Sequence, residues 1–337
     1  RHGIERGTAI VDGTIVRGYP SIPRTLVLDP GVPDYFDGPV VIEEKLNGYN
    51  VRIAHVPPAD SDSDTVDPGD VWAFTRGGFV CPYTTHEATA LLDCEAFFAA
   101  HPEAILCAEL VGPANPYTEH DYAEVDGTAF RIFDVRDRES GTPMPVEERR
   151  ALCADYDLPQ VPTFGIHERN DAVPAVRAAI EALDERGREG VVLSSLDGER
   201  QLKYTTSAIH CSDLEHAFSM PFDYGRDFLF SRIVREAFQA VEFEADDAAV
   251  RERAHDLGEA ILRPAVEAIQ QVGETHTVDG DPAAIASLLA HFRNQGLELA
   301  IERDEHHDGR REVVFTKVAS STRDKTQHYL DGGLIDE

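Results

Sequence analysis

Residues 40–55 constrain this chain more than any other stretch. Val40-Val41-Ile42 is a β-branched run that leads through Glu43-Glu44-Lys45 into Leu46-Asn47-Gly48, and alternation resumes at Val51, Ile53 and His55. Branched side chains suit a pleated strand, and Asn-Gly suits a sharp reversal. The pattern therefore predicts two strands with residues 46–50 on or beside the turn between them. The same reading predicts strands at 71–75, 105–111, 129–134, 190–195 and 200–204, and helices at 86–100, 146–156 and 171–186. Residues 8–28, punctuated by Gly13, Gly18, Pro20 and Pro23, read as a small β-rich lead-in, and residues 57–70 as a solvated loop.

After Tyr204 the texture becomes helical. Phe230, Val234, Ala237, Phe238 and Val241 fall at helical spacing, with Phe228 and Leu229 beside them. A second stripe runs Val250, Ala254, Leu257, Ile261, Ala265, Ile269 and Val272, with Pro264 expected to kink or divide its helix. A helix at 281–294, strands at 297–303 and 312–318 and a helix from Ser321 complete the chain. The fold class is α+β, with antiparallel sheets and flanking helices. The expected division is a β-rich region 1–38, a body 39–215, a helical region 216–275 and a small α/β domain 276–337. That last division allows for 337 residues, 42% of them apolar, which is more core than one domain usually holds.

Acidic residues number 62 against 31 basic ones, a formal net charge of −31. A disordered acidic chain is excluded by the apolar content and the regular periodicities. Only four of the basic residues are lysines (Lys45, Lys203, Lys317 and Lys325) and 27 are arginines. An acidic, lysine-poor, globular chain fits molar salt, where self-repulsion is screened within a few ångströms, and points to a halophilic archaeon. Five cysteines without a CxxC pair suggest buried thiols in a reducing compartment. No apolar run approaches the roughly 20 residues of a membrane span, and nothing resembles a signal peptide. The expected location is cytoplasmic.

Lysine scarcity sharpens the reading of each survivor, because a lysine can lose its proton and act as a nucleophile where arginine cannot. Lys45-Leu-Asn-Gly48 follows an apolar strand, so it presents an amine at a tight turn, and Gly48 would let the backbone approach a phosphate. Lys45-Leu46-Asn47-Gly48 resembles the KxxG motif of the covalent nucleotidyltransferases: DNA ligases, RNA ligases and mRNA capping enzymes. Further segments resemble that superfamily's motifs in order: Thr75-Arg76-Gly77-Gly78, Ala108-Glu109-Leu110, Phe130-Arg131-Ile132-Phe133, Glu189-Gly190-Val191-Val192 and Leu202-Lys203-Tyr204. The resemblance implies a nucleotidyltransferase (ATP-grasp-like) fold for residues 39–215. It gives Lys45 the covalent AMP, Arg76 a phosphate, Glu109 the ribose, Phe133 the purine face and Glu189 the metal and nucleotide. Lys203 would neutralise charge developing on the α-phosphate. Glu44, Leu46, Asn50 and Val191 complete the expected nucleotide contacts.

Within the superfamily, Asn50 stands where DNA ligases and capping enzymes usually carry arginine. Arg17-Gly-Tyr-Pro20, the stretch from Phe133 to Arg149 and the segment around Lys317 to Leu330 are similar to the archaeal homodimeric ATP-dependent RNA ligases. That likeness covers nearly the whole chain, with Gln201 departing from it where many relatives have a second lysine. It implies ATP with Mg²⁺ or Mn²⁺, RNA carrying a 5′-phosphate and a 3′-hydroxyl, and a homodimer through the region 216–275. The alternatives are another nucleotidyltransferase, of DNA-ligase or capping type, and a non-catalytic RNA-end-binding protein that kept the fold.

Overall fold

The computed structural model describes residues 4–58, 70–118, 120, 122–220, 222, 224–270, 273–318 and 320–334; residues 59–69 of the expected loop and Val272 lie outside the described residues. The chain separates into two units. The first comprises residues 1–25, 32–179 and 190–204. It opens with a hairpin of β1 (Ala9–Val11) and β2 (Thr14–Val16), turned at Asp12 and Gly13, both at positive φ. A two-residue turn of that kind matches the twist of its strands.

The body of this unit is built from α1 (Gly31–Tyr35), β3 (Val40–Lys45), β4 (Tyr49–His55), β5 (Val71–Thr75), α2 (Pro82–Leu91) and α3 (Cys94–Ala100). There follow β6 (Ala104–Val111), β7 (Ala129–Asp137), α4 (Val146–Asp155), β8 (Thr163–His167), α5 (Ala172–Asp184, with residues 180–184 assigned to the second unit), β9 (Gly190–Ser195) and β10 (Gln201–Thr205). The helix expected at 86–100 is two. The first ends at Leu91, and Asp93 starts the second by accepting from the Ala96 N–H at 3.3 Å.

β3 and β4 do not pair with each other. One four-stranded sheet has the order β10-β9-β3-β8 and the other β5-β4-β6-β7, so residues 46–48 carry the chain from one sheet to the next. β3 is antiparallel to both β8 and β9, and β4 is antiparallel to β5 and β6. Beneath the second sheet, Val16, Ala54, Val56, Phe74, Ile105 and Cys107 form a buried cluster against which Tyr19, Trp72 and Phe133 pack. The N-terminal segment is fastened there by Arg52, which is 1% exposed. Its guanidinium donates to the carbonyls of Arg17, Gly7 (2.6 Å) and Thr75 (3.0 Å), which satisfies a charge that burial would otherwise penalise.

The second unit takes residues 26–31, 180–189 and 205–337. Its helices α6 (Ser207–Ser219), α7 (Arg226–Glu242) and α8 (Asp247–Gln270) pack together. α8 runs unbroken through Pro264; proline removes one intrahelical hydrogen bond, and 24 residues of helix absorb that loss here. The remainder is β11 (Glu274–Gly280), α9 (Pro282–Asn294), β12 (Glu298–His307), β13 (Arg310–Val318) and α10 (Ser320–Leu330). The sheet order is β11-β13-β12, antiparallel throughout. α9 covers it, with Ile285, Leu288 and Phe292 buried like Val278, Val313 and Phe315 of the sheet.

Candidate active site

β3 is buried from Val40 to Glu44, and two carboxylates, Glu43 and Glu44, are only 5% and 4% exposed just ahead of Lys45. Lys45 ends the strand opposite Gly190, the first residue of β9. Beside it opens a cleft of about 110 Å³ between the two sheets of the first unit. Glu43, Glu44 and Lys45, then Val192 and Ser194 of β9, then Gln201 and Lys203 of β10 line one wall. Asn50 of β4, Glu109 of β6, Phe133 of β7 and Arg76, just beyond β5, line the other. Leu46 and Val161 close it between them, and Tyr19, Pro20 and Ile22 of the N-terminal segment complete the rim.

The walls have distinct chemistry. Asn50 and Glu109 are register partners across β4 and β6, so two acceptors face the same space. Glu109 Oε1 already takes the Gly48 N–H at 3.1 Å. Asn50 Oδ1 is a buried atom without a hydrogen-bond partner. A buried unpaired acceptor on a cavity wall is costly unless a ligand donor meets it, and a nucleoside supplies such donors from its hydroxyls. Phe133 lines the cleft and packs edge-to-face with Tyr19, with ring centroids 5.2 Å apart and planes at 88°. On the opposite wall, Lys45 and Lys203 bring cationic groups to the same cleft, and Arg76 adds a guanidinium from the exposed turn.

Behind the cleft lies a buried polar layer. Arg149 of α4 donates to Glu43 Oε1 at 2.5 Å and also to the Phe133 carbonyl, and Arg150 donates to the same Glu43 oxygen at 2.7 Å. Asp134 receives Arg136 Nε at 2.7 Å and lies 3.1 Å from the Tyr19 hydroxyl, which in turn is 2.9 Å from Gln201 Oε1. Burial pushes the Asp134 carboxyl above the usual carboxylate range, with the Arg136 charge opposing. Tyr19 is pushed up as well, first by burial and then by the Asp134 charge. Gln201 is thus anchored from below by the hydroxyl of a tyrosine near the N-terminus.

Most of the residues expected at the site meet in this cleft: Glu44, Lys45, Leu46, Asn50, Arg76, Glu109, Phe133 and Lys203. Val191 does not. It is fully buried in the core, and side chains alternate along a strand, so Val192 and Ser194 face the cleft instead. Glu189 precedes β9, is half-buried, and belongs to the second unit; it is not among the residues lining the cleft. The glycine at 48 has a packing role that its motif does not state. A Cβ there would lie 2.4 Å from the Leu110 carbonyl oxygen and 3.0 Å from Glu109 Cγ, so Gly48 permits close packing on β6. Glu43, Val192 and Ser194 were missed by motif matching, although period-two counting back from Lys45 and along β9 would have found them.

Among the described residues no group of three metal-binding side chains forms a ready-made cage. The cleft's carboxylates, Glu43 and Glu109, are hard oxygen donors, with Glu43 bound to two arginines. That set fits Mg²⁺ or Mn²⁺ arriving with a triphosphate, since Mg²⁺ commonly takes one or two carboxylates plus phosphate oxygens.

Residues 38–205 match the RNA ligase family model, and residues 216–333 match the model described as the ligase Pab1020 C-terminal region. The uncharacterized protein MJ0414 of Methanocaldococcus jannaschii is 39% identical, over 98% of this chain and 86% of that one. Among solved structures, an archaeal ATP-dependent RNA ligase is 41% identical with a TM-score of 0.90, covering 98% of this chain and 88% of that one. An Aquifex aeolicus protein described as an ATP-dependent DNA ligase is 27% identical with a TM-score of 0.88, covering 100% and 92%. With these likenesses running through both units and the lysine-bearing cleft where the family's motifs converge, the chain belongs to the archaeal ATP-dependent RNA ligases.

Proposed function

We propose that Lys45 is the nucleophile of a three-step RNA end-joining reaction. The Lys45 nitrogen attacks the α-phosphorus of ATP, the bond to the bridging oxygen breaks, pyrophosphate leaves and the ammonium proton goes to solvent. An oxygen of an RNA 5′-phosphate then displaces the lysine, and finally a 3′-hydroxyl attacks that phosphate and expels AMP. Asn50 and Glu109 would take the ribose hydroxyls, Phe133 the purine face, and Arg76 and Lys203 the phosphates. Glu189, next to Gly190 in the chain, is assigned to metal and nucleotide by its EGxV motif alone. A bound Mg²⁺ or Mn²⁺ would neutralise phosphate charge and help the pyrophosphate leave.

One observation carries this reading: two of the chain's four lysines line one cleft, opposite an aromatic ring and an unpartnered buried acceptor. The test is intact-mass analysis after incubation with ATP and Mg²⁺, then with GTP, with and without EDTA. The native chain gains one AMP; Lys45→Ala and Lys45→Arg gain none. Adduct formation on Lys45→Ala would overturn the mechanism.

The finer features of the reading are a homodimer and a saline cytoplasm. Phe230, Phe238 and Val241 of α7 are 59%, 42% and 80% exposed, and Leu262 and Ile269 of α8 are 66% and 49% exposed. An apolar face left open on both helices supports association through them, each pair meeting its copy across a two-fold axis. Sedimentation in high salt should find a dimer that Phe230→Asp with Phe238→Asp converts to a monomer; a monomeric native chain removes the proposal. Buried, unbridged Cys81, Cys94, Cys107 and Cys153 suit a reducing compartment.

A further inference from the structure

The segment between Lys45 and Tyr49 belongs to neither sheet, so nothing in the strand ladders fixes the backbone that leaves the lysine. Its polar groups are held by side chains instead. The Tyr122 hydroxyl accepts from the Asn47 N–H at 2.7 Å and donates to the Asn47 carbonyl at 2.9 Å. One oxygen thereby completes both hydrogen bonds of the same residue, as a neighbouring strand would. Glu109 holds the next N–H, that of Gly48.

Glu109 and Tyr122 differ in one respect that separates their roles. Glu109 lines the cleft; Tyr122 does not. The Tyr122 ring is 3% exposed and packs in a cluster with Leu46 and Val161, touched by Phe133, all three of which do line the cleft. Tyr122 comes from the irregular stretch between β6 and β7, outside every motif of the sequence reading. It is bonded two residues beyond the nucleophile and braced behind the cleft wall.

We infer that Tyr122 is a positioning residue for lysine adenylation: its hydroxyl fixes the 46–48 crossover so that the Lys45 amine meets the α-phosphate in line. Nucleophilic attack needs the reacting atoms held within a few tenths of an ångström, and a misplacement of about 1 Å costs on the order of a hundredfold in rate. The side chain acts through the turn and makes no ligand contact, so its loss is felt in the rate of the step and not in the binding of ATP. The inference rests on Lys45 being the nucleophile.

Tyr122→Phe removes one oxygen and keeps the ring. Single-turnover formation of the Lys45–AMP adduct, followed across a series of ATP concentrations on the full chain, gives the maximal rate and the half-saturating ATP separately. The expected result is a fall of about tenfold or more in the first and less than about threefold change in the second. Asn47→Gly loosens the same turn while leaving Tyr122 in place, and the two losses combined are less than multiplicative if both act through it. Weaker ATP saturation at an unchanged maximal rate, unchanged kinetics, or fully multiplicative losses would each overturn the inference. If Tyr122→Phe does not fold by circular dichroism, Asn47→Gly alone decides, by the same split. A native chain that forms no adduct would instead sink the assignment of Lys45.

Discussion

Arg149 reaches from α4 to the Glu43 carboxylate, 2.5 Å away, with both side chains almost wholly enclosed. A carboxylate on the cleft wall is thereby neutralised from behind, and the same guanidinium holds the Phe133 carbonyl. Breaking a buried pair strands the remaining charge, which costs roughly 3–5 kcal/mol, whereas replacing both partners can be nearly neutral. Arg150 still holds Glu43 at 2.7 Å once Arg149 is gone, so Arg149→Met should lower stability to denaturant by less than that amount. The double variant Arg149→Met with Glu43→Met recovers much of it. Equal loss in single and double variants would mean that the pair is not the source.

The two valines after Gly190 should separate fold from site. Val191 is fully buried in the core and Val192 lines the cleft. Val191→Ala should cost roughly 2 kcal/mol through lost burial and a residual cavity, with ATP saturation little altered. Val192→Ala should leave stability nearly native and raise the half-saturating ATP severalfold. Urea unfolding and adduct-formation kinetics on both variants check this; a reversed pattern would refute the strand-face assignment.

Acid should unfold the second unit through Glu236. This 3% exposed carboxylate accepts from His210 Nδ1, from Ser207 at 2.7 Å and from Arg253 at 2.9 Å. Burial pushes its pKa up, but the His210 bond and the neighbouring charges outweigh that and hold it below the ordinary glutamate range. A carboxyl depressed in the folded state contributes stability above its unfolded pKa, near 4.5, and loses it as pH falls through the folded value. The native chain should destabilise on acidification below pH about 4.5. Glu236→Gln should be less stable at neutral pH and show a shallower acid dependence. Parallel acid curves for the two would rule Glu236 out.

Salt should act in the direction opposite to its usual effect on surface ion pairs. With a net charge of −31, self-repulsion dominates in dilute buffer and is screened at molar ionic strength. Folding and adduct formation should both strengthen as KCl rises into the molar range. Equal stability and activity in dilute and concentrated KCl would remove the halophilic reading without touching the ligase chemistry.

Local chemistry was legible from residues alone. Branched runs gave β3, β9 and the strands of the second sheet; the survival of Lys45 and Lys203 in a chain with four lysines singled them out as candidates, and both line one cleft. Elements without such a pattern escaped. β8 is a short, partly exposed strand kept in place by pairing with β3, and β11 reads ETHTVDG, with no apolar alternation. α6, reading SAIHCSDLEHAFS, shows no clear apolar stripe, and its buried His210 meets Glu236 of α7 only in the folded chain.

The sequence determined the order of the motifs, the lysine at a strand end and the turn after it, because these depend on neighbouring residues. Tertiary structure decided that the turn is a crossover between sheets and not a hairpin, since strand pairing is settled by distant partners. It also decided that Val192 and not Val191 faces the cleft, and that Gly48 answers to β6. Tyr122, 75 positions from Asn47, came to light the same way. Its role exists only once β6, β7 and the chain between them have folded over Asn47, and no pattern of neighbours encodes a contact made across that distance.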